Sequence, residues 1–398
     1  MKRRNAGRHF LQIPGPSAVP ERILRAMSAQ VIDHRGPDFA DVGKTALDGM
    51  KTIFKTEAGR VFIYPASGTG AWEAALVNTL AEGDRVLMYE TGHFATLWKK
   101  MADRLGVRAE FIEGDWRGGA DADAIEAYLR KDTAHEIKAV CVVHNETSTG
   151  SVSPIADIRA AIDAAGHPAL LMVDSISGLA SVDFRFDEWG VDVCVSGSQK
   201  GLMLPPGISF NCVSDKAMEV SRKGGMRRSY WDWHDMTGPN ATGYFPYTPA
   251  TNALYGLNEA IAMLHEEGLD NVFARHARHA RATRAAVRAW GLEVLCRQQG
   301  QESGVLTAVL MPEGHSADAF RAQVLRSFDI SLGNGLSKVA DKVFRIGHLG
   351  DFNDAMLMGT LSGIEMALAK SRIPHSAGGT AAAMAVLEED IPAAIAAE

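Results

Sequence analysis

The sequence predicts an α/β protein: a large domain built on a mostly parallel sheet, followed by a smaller α+β domain. Three observations carry that reading. At 398 residues the chain exceeds what one hydrophobic core normally organises. Between residues 61 and 214 short apolar runs alternate with stretches of helical periodicity, the pattern of strands buried on both faces and their crossover helices. Beyond residue 265 long helices dominate and strands become sparse. The expected limits are an N-terminal arm over 1–20, a large domain over 21–265 and a small C-terminal domain over 266–398.

The elements follow in order. Pro14, Gly15, Pro16 and Pro20 exclude a long helix from the arm, which reads as extended. Residues 21–29 have helical spacing, and 31–39 (VIDHRGPDF) read as irregular, with Asp33, His34 and Arg35 together. Strands are expected at VFIYP (61–65), RVLMYE (85–90), RAEFIE (108–113), IKAVCVVHN (137–145), ALLMVDS (169–175), VDVCVSGS (191–198) and ISFNCVS (208–214). Helices are expected between them at 69–80, 93–106, 121–131 and 155–166. Residues 222–250 are rich in Arg, Trp, Tyr, Gly and Pro and show neither period, which predicts an ordered excursion. Helices at 251–266 and 270–290 come next. A strand at 306–313, a helix at 317–328, a turn at 332–336 (LGNGL), a strand at 342–347 and a helix at 354–370 complete the small domain. The Gly/Ala-rich tail from Ser376 carries one terminal helix.

Composition excludes several classes. The net charge of −7 and the lack of a basic block argue against nucleic acid as a partner. Arg275, Arg278, Arg281, Arg284 and Arg288 recur at helical spacing and read as a solvated helix face. Cys141, Cys194, Cys212 and Cys296 form no CxxC pair, and three lie in apolar runs, so neither a disulfide framework nor a metal site is expected. The opening MKRRNAGRHF has no apolar core of a secretory signal, and no run reaches membrane-spanning length. A cytoplasmic location is the expectation.

Six segments carry chemistry. In VSGSQKGLMLPPG (195–207) Lys200 follows a strand end at once; it is either a surface lysine on a loop or an amine held where water is scarce, whose lowered pKa suits Schiff-base formation. Asp174 ends the buried-type strand ALLMVDS, and ligands of parallel sheets bind beyond such carboxyl ends. A lysine for an aldehyde and an acid for a ring nitrogen are the pair that pyridoxal phosphate requires, though Asp174 could instead cap the next turn. Ser67, Gly68, Thr69 and Gly70 form a small-residue strand-to-helix turn, an anion site or a plain N-cap, without the spacing of a dinucleotide fold or P-loop. Asn145, Thr147 and Thr149 are short polar groups at another strand end, and Phe94, beside His93, is either a ring that stacks on a cofactor or a core aromatic. Arg345, in the apolar strand KVFRIG, must find an anion, either a protein carboxylate or a substrate's. His348 beside it reads as a turn histidine.

Together these segments resemble one family. PGP (14–16), DHRGPDF (33–39), PASGTGAWEAALVNTL (65–80), VVHNETSTG (142–150), LLMVDS (170–175), SGSQKGLMLPPG (196–207), TGYFPYTPA (242–250) and KVFRIGHLG (342–350) are similar to class V aminotransferases of fold type I, in the serine/alanine/aspartate–glyoxylate aminotransferase group, and they span nearly the whole chain. The resemblance implies a fold type I transferase using pyridoxal 5′-phosphate. It implies that Lys200 holds the cofactor as a Schiff base and Asp174 contacts its pyridine nitrogen. Ser67, Gly68, Thr69 and Gln199 fall where the family binds phosphate, with Thr69 where some members carry histidine. Phe94 matches a stacking tryptophan of some relatives, and Thr147 the contact to the phenolic oxygen. Thr248 matches a residue donated to the phosphate of the other subunit, which implies at least a homodimer; Phe245 stands where some relatives have tyrosine. Arg345 matches the holder of the substrate α-carboxylate. The implied reaction moves an amino group from serine, aspartate or alanine to glyoxylate. A pyruvate acceptor, a cysteine-dependent lyase reaction and a non-enzymatic binding role are the alternatives. The lyase reaction needs a nucleophilic cysteine on a mobile loop, and a binding protein would need neither Lys200 nor Asp174.

Overall fold

The computed structural model describes residues 6–389. The basic opening residues 1–5 and the last part of the expected terminal helix, 390–398, lie outside them. In chain order the elements are β1 (Phe10–Gln12), α1 (Glu21–Met27), α2 (Pro37–Phe54), β2 (Arg60–Tyr64), α3 (Gly68–Thr79), β3 (Arg85–Tyr89), α4 (His93–Arg104), β4 (Arg108–Ile112), α5 (Ala122–Leu129), β5 (Ile137–Val143), β6 (Asn145–Glu146), β7 (Ser151–Val152), α6 (Ile155–Ala164), β8 (Leu170–Asp174), β9 (Val193–Gly197) and β10 (Ser209–Val213). Then come α7 (Asp215–Lys223), α8 (Trp233–Ala241), α9 (Thr251–Glu267), α10 (Leu269–Ala289), β11 (Glu293–Val294), β12 (Leu306–Leu310), α11 (Ala317–Phe328), β13 (Ile330–Asn334), β14 (Val343–Gly347), α12 (Asp354–Lys370) and α13 (Gly379–Glu389).

The seven expected strands of the first half form one sheet in the order β2-β10-β9-β8-β5-β3-β4. Strands β9, β8, β5, β3 and β4 run parallel, and β10 is antiparallel to both neighbours. The five residues of β8 and of β9 are all buried, because helices cover both faces. One face packs on Phe39, Met50, Phe54, Leu254 and Leu257 of α2 and α9. The other packs on Trp72, Trp98 and Trp233 of α3, α4 and α8. A second, five-stranded sheet, β1-β13-β14-β12-β11, carries a separate core around Trp290, Phe320, Phe344 and Leu361.

Four expectations need correction. Helix α2 was hidden because its predicted irregular start, Gly36-Pro37, is an N-terminus: proline at the first helical position lacks only an N–H that has no helical partner anyway. The excursion over 222–250 contains α8, which holds Gly238 and Pro239, both poor helix formers. The expected turn LGNGL is largely strand β13; Gly333 sits opposite Arg345 of β14. The arm is not only a loose extension, since β1 pairs in parallel with β13, Phe10 opposite Ile330.

The arginine face of α10 is also not simply solvated. Arg275 donates to both oxygens of Glu267 (2.6 and 2.9 Å) and to the carbonyls of Gly350 and Phe352. Arg278 forks onto Asp354 (2.7 and 2.8 Å) and donates to the Leu387 carbonyl. These bonds tie α10 to α12 and α13. Arg288, at the far end, is 64% exposed and fits the solvated reading.

Candidate active site

Lys200 lies in the loop between β9 and β10. That loop is closed on itself: Ser198 N–H donates to Ile208, Leu204 N–H to Ser198, and the Ser198 hydroxyl to the Pro205 carbonyl. The side chain is only 8% exposed, so the surface-lysine reading fails. Its Nζ donates to the carbonyl of Pro14 at 2.5 Å. The arm holds the loop at two further points, from the Ser17 hydroxyl to the Lys200 carbonyl and from Ser17 N–H to the Gln199 carbonyl, each 2.9 Å. Gly15 crosses over the lysine at φ 104°, where a Cβ would overlap the Lys200 side chain. Burial lowers the amine to about 8; the Arg345 charge adds to the effect and Asp174 opposes it.

Asp174 ends β8 between Val143 of β5 and Val195 of β9, at the carboxyl edge of the parallel strands. It is 4% exposed. Oδ1 accepts from Ile176 N–H at 2.8 Å, and Oδ2 from Trp72 Nε1 at 3.0 Å. Burial raises its pKa to about 7; the Ile176 and Trp72 donors and Lys200 act against this, and Glu146 reinforces it.

An anion cradle adjoins the lysine. Ser67 is the N-cap of α3 and makes no side-chain capping bond; Gly70 N–H donates to the Ser67 carbonyl at 2.9 Å, and the amides of Gly68 and Thr69 at the start of the helix have no intrahelical partner. The Oε1 atom of Gln199 is buried without a hydrogen-bond partner. The two meet beside Gly197: a Cβ there would lie 3.0 Å from Gln199 Oε1 and 3.6 Å from Gly68 N. Amide oxygen and nitrogen are interchangeable by rotation, so Gln199 can present a donor. An unpartnered amide and a helix N-terminus facing one small gap fit a phosphate group.

Arg345 is 6% exposed in the middle of β14. Nε donates to the Asn334 carbonyl and one terminal nitrogen to the Thr147 carbonyl, both at 2.7 Å. Among the described residues no carboxylate lies within ion-pair distance of it. Burial lowers its pKa to about 10. The cation is thus oriented by two carbonyls, and the Glu146 charge, outside ion-pair distance, only partly offsets its burial.

The ETSTG segment divides its labour. Thr149 is spent on the Thr91 carbonyl and Ser151, whereas Thr147 is held through its backbone by Arg345. Glu146, buried, accepts from Phe94 N–H and Ala95 N–H at the start of α4 and from the Ser148 hydroxyl. It thereby fixes the helix end that carries Phe94, whose ring is partly buried against the tryptophan-rich core. Burial lowers the neighbouring His93. Asn145 accepts from Ser303 at 2.6 Å.

Thr248 is not brought to Lys200. It lines a surface cleft with His34, Arg35, Tyr244, Phe245 and Tyr247. His348 is a fully buried turn residue bonded to Thr307 and the Gly304 carbonyl. All four cysteines are buried and free, and burial raises each thiol. Cys141, Cys194 and Cys212 sit inside strands, unlike a nucleophile on a mobile loop. Among the described residues no helix is long and apolar enough to cross a membrane, and no group of three acidic, His or Cys side chains is placed to hold a metal.

Sequence reading missed Pro14, Trp72, Glu146 and Ser148 as parts of this site. Trp72 had one usable signal: a buried indole N–H needs an acceptor, and it stands one helical turn beyond Gly68.

The sequence profile of the aminotransferase class-V family matches residues 9–346. A serine–glyoxylate aminotransferase of Methylorubrum extorquens is 49% identical over 97% of this chain and 98% of its own. An L-aspartate–glyoxylate aminotransferase of Paracoccus denitrificans is 44% identical over 93% and 94%. The crystal structure of a pyridoxamine–pyruvate aminotransferase from Mesorhizobium loti superposes with a TM-score of 0.90 at 26% identity, covering 98% of this chain and all of that one.

Proposed function

The chain belongs to the class-V aminotransferases, enzymes of the pyridoxal-phosphate-dependent fold, and from that premise we propose that it moves the amino group of L-serine to glyoxylate. The products are glycine and a 2-oxo acid. Arg345 carries this reading: a buried guanidinium held by two carbonyls, with no carboxylate of the described residues within ion-pair distance, suits the carboxylate that both substrates share.

Bound pyridoxal phosphate supplies an aldehyde that accepts the amino group and a protonated ring that withdraws electrons. Lys200 would hold the aldehyde carbon, and the first turn of α3 with Ser67, Gly68, Thr69 and Gln199 would hold the phosphate. Asp174 would supply the charge that keeps the ring nitrogen protonated. Phe94 would pack on the ring and Thr147 would serve the phenolic oxygen. With its amine free, Lys200 Nζ would take the proton from the donor's Cα and return a proton, base and acid in turn. Its lowered pKa keeps part of the amine free near neutral pH, as that first step needs. Thr248 serves the phosphate of a second copy, so the working unit is at least a homodimer.

Serine is preferred to aspartate because the relative with 49% identity uses serine by name. A side-chain carboxylate would want a second cation; Arg228 is committed to the Ser221 hydroxyl and to Asp232, and Arg35, which shares the Thr248 cleft, is the residue that would favour aspartate instead. Steady-state kinetics with serine, aspartate and alanine, each paired with glyoxylate, pyruvate and 2-oxoglutarate, tests the proposal. Serine with glyoxylate should give the highest kcat/KM. A higher value for aspartate would reassign the donor, a higher value for pyruvate would reassign the acceptor, and no transfer with any pair would overturn the reading.

A further inference from the structure

Two tryptophans stack in the core behind the site, and only one of them makes a hydrogen bond through its indole nitrogen. Trp72 of α3 and Trp98 of α4 are 3% and 0% exposed, with ring centroids 5.9 Å apart and planes 12° from parallel. Trp72 Nε1 donates to Asp174 Oδ2 at 3.0 Å. Trp98 Nε1 is buried without a partner. Stacking alone would be served by two phenylalanines. The single N–H aimed at a buried carboxylate is a separate feature, and Trp98 holds the ring that bears it in place.

The location of Trp72 adds to this. It stands four residues after Gly68, so one face of α3 bears the anion cradle at its start and the Asp174 contact one turn later. The same helix sets the spacing between the two. We propose that Trp72 is a positioning residue for Asp174: its N–H locks the carboxylate rotamer together with the Ile176 amide and holds the group ionised opposite the cofactor's ring nitrogen. This rests on the role given to Asp174 above.

The electrostatic setting explains why a donor is needed there. Burial drives Asp174 toward its neutral form, and Glu146 on β6 pushes the same way. Lys200, beyond β9, favours the ionised form, and the Cys194 thiol of β9 is the other titratable neighbour. Ile176 N–H and Trp72 Nε1 are the two hydrogen-bond donors on the carboxylate. Removing one leaves burial less opposed, so the carboxylate protonates at higher pH.

The test measures pyridoxal-phosphate affinity of the apoprotein by equilibrium dialysis between pH 5.5 and 8.5. It compares wild type, Trp72→Phe, Trp98→Phe and Asp174→Asn, with melting temperatures on the same preparations. Titrations of the cofactor and of the Lys200 amine, at about 8, are common to all four. At pH 7 Trp72→Phe should bind about tenfold more weakly, and the pH at which its affinity falls off should move upward. Trp98→Phe, which removes ring area but no bond, should lower the melting temperature and leave that pH in place. Asp174→Asn should lose the part of the acid limb that lies beyond the shared titrations. An unmoved limb in Trp72→Phe, with that part lost in Asp174→Asn, overturns the positioning role alone. A limb in Asp174→Asn that coincides with the wild-type one overturns the Asp174 assignment beneath it. Should Trp72→Phe fold poorly, benzothienylalanine at position 72 keeps the ring shape and removes only the N–H; a wild-type limb there overturns the inference equally.

Discussion

The candidate site and the inner face of α10 both bury ionisable groups, in opposite ways. Along α10 Arg275 is paired with Glu267 and Arg278 with Asp354, which also meets His279, while Arg284 donates to the Ser303 carbonyl. In the candidate site Lys200 and Asp174, at the edge of the large sheet, and Arg345, on β14 of the second sheet, are each less than 9% exposed, and among the described residues none is in an ion pair. Their pKa values are displaced toward the neutral range, to about 8, 7 and 10. Matched charges hold elements together. Buried charges without an ion-pair partner are maintained at a cost to stability, and such groups cluster where proteins take up ligands.

That contrast is broken first at Lys200. Lys200→Met should abolish transamination, and borohydride reduction of the wild type followed by peptide mapping should place the phosphopyridoxyl label on Lys200. A label elsewhere would remove the lysine from the unmatched set. The same variant reads the cost. The native amine titrates at about 8, whereas an unburied lysine titrates near 10.5. Between those values the unfolded chain holds the extra proton, so stability of the wild-type apoprotein should rise relative to Lys200→Met as pH climbs from about 8 to 10.5. Parallel denaturant titrations across that range check the sign.

Asp174→Asn should come next, lowering kcat on the order of 100-fold or more, as losing a preorganised charge contact does, while the fold persists. Near-normal turnover in a folded, cofactor-loaded variant would refute the role. Arg345→Lys keeps the charge and loses the planar fork. It should reduce kcat/KM about tenfold for every donor and acceptor together, with little change in melting temperature. A loss of stability and cofactor occupancy without a shared substrate defect would move Arg345 to the matched class. The smallest effect is expected at Arg278→Lys: roughly 1–3 °C off the melting temperature and unaltered kcat/KM for every pair. A kinetic defect there would erase the distinction between the two regions.

The sequence displayed some of this architecture and concealed the rest for identifiable reasons. Strands β5, β8 and β9 were legible because burial on both faces turns them into unbroken apolar runs. Helix α8 and strand β13 were concealed because Gly238, Pro239 and Gly333 weigh toward turns when tertiary packing is out of view. Lys200, Asp174 and Arg345 could be named because each is anomalous within its own segment. Trp72, Glu146 and Pro14 look ordinary locally, and their partners lie 102, 51 and 186 residues away. Arg275 and Arg278 of α10 misled for the same reason: their acceptors, Glu267 aside, lie 75 to 109 residues further on.

The pairing of β1 with β13 sets a timetable for the growing chain. Residue 10 meets a strand that begins at residue 330. At translation rates of about 5–20 residues per second, the arm waits on the order of 15 s to a minute for its partner. Through that interval the large sheet can form with Lys200 in place but without Pro14 and Gly15 settled over it. A segment made well before the large sheet is therefore among the last to be fixed, and the amine receives its cover only when the small sheet exists. Shortening the chain ahead of β13 would leave the arm without a strand to join and the lysine open to water, however well the large sheet had folded.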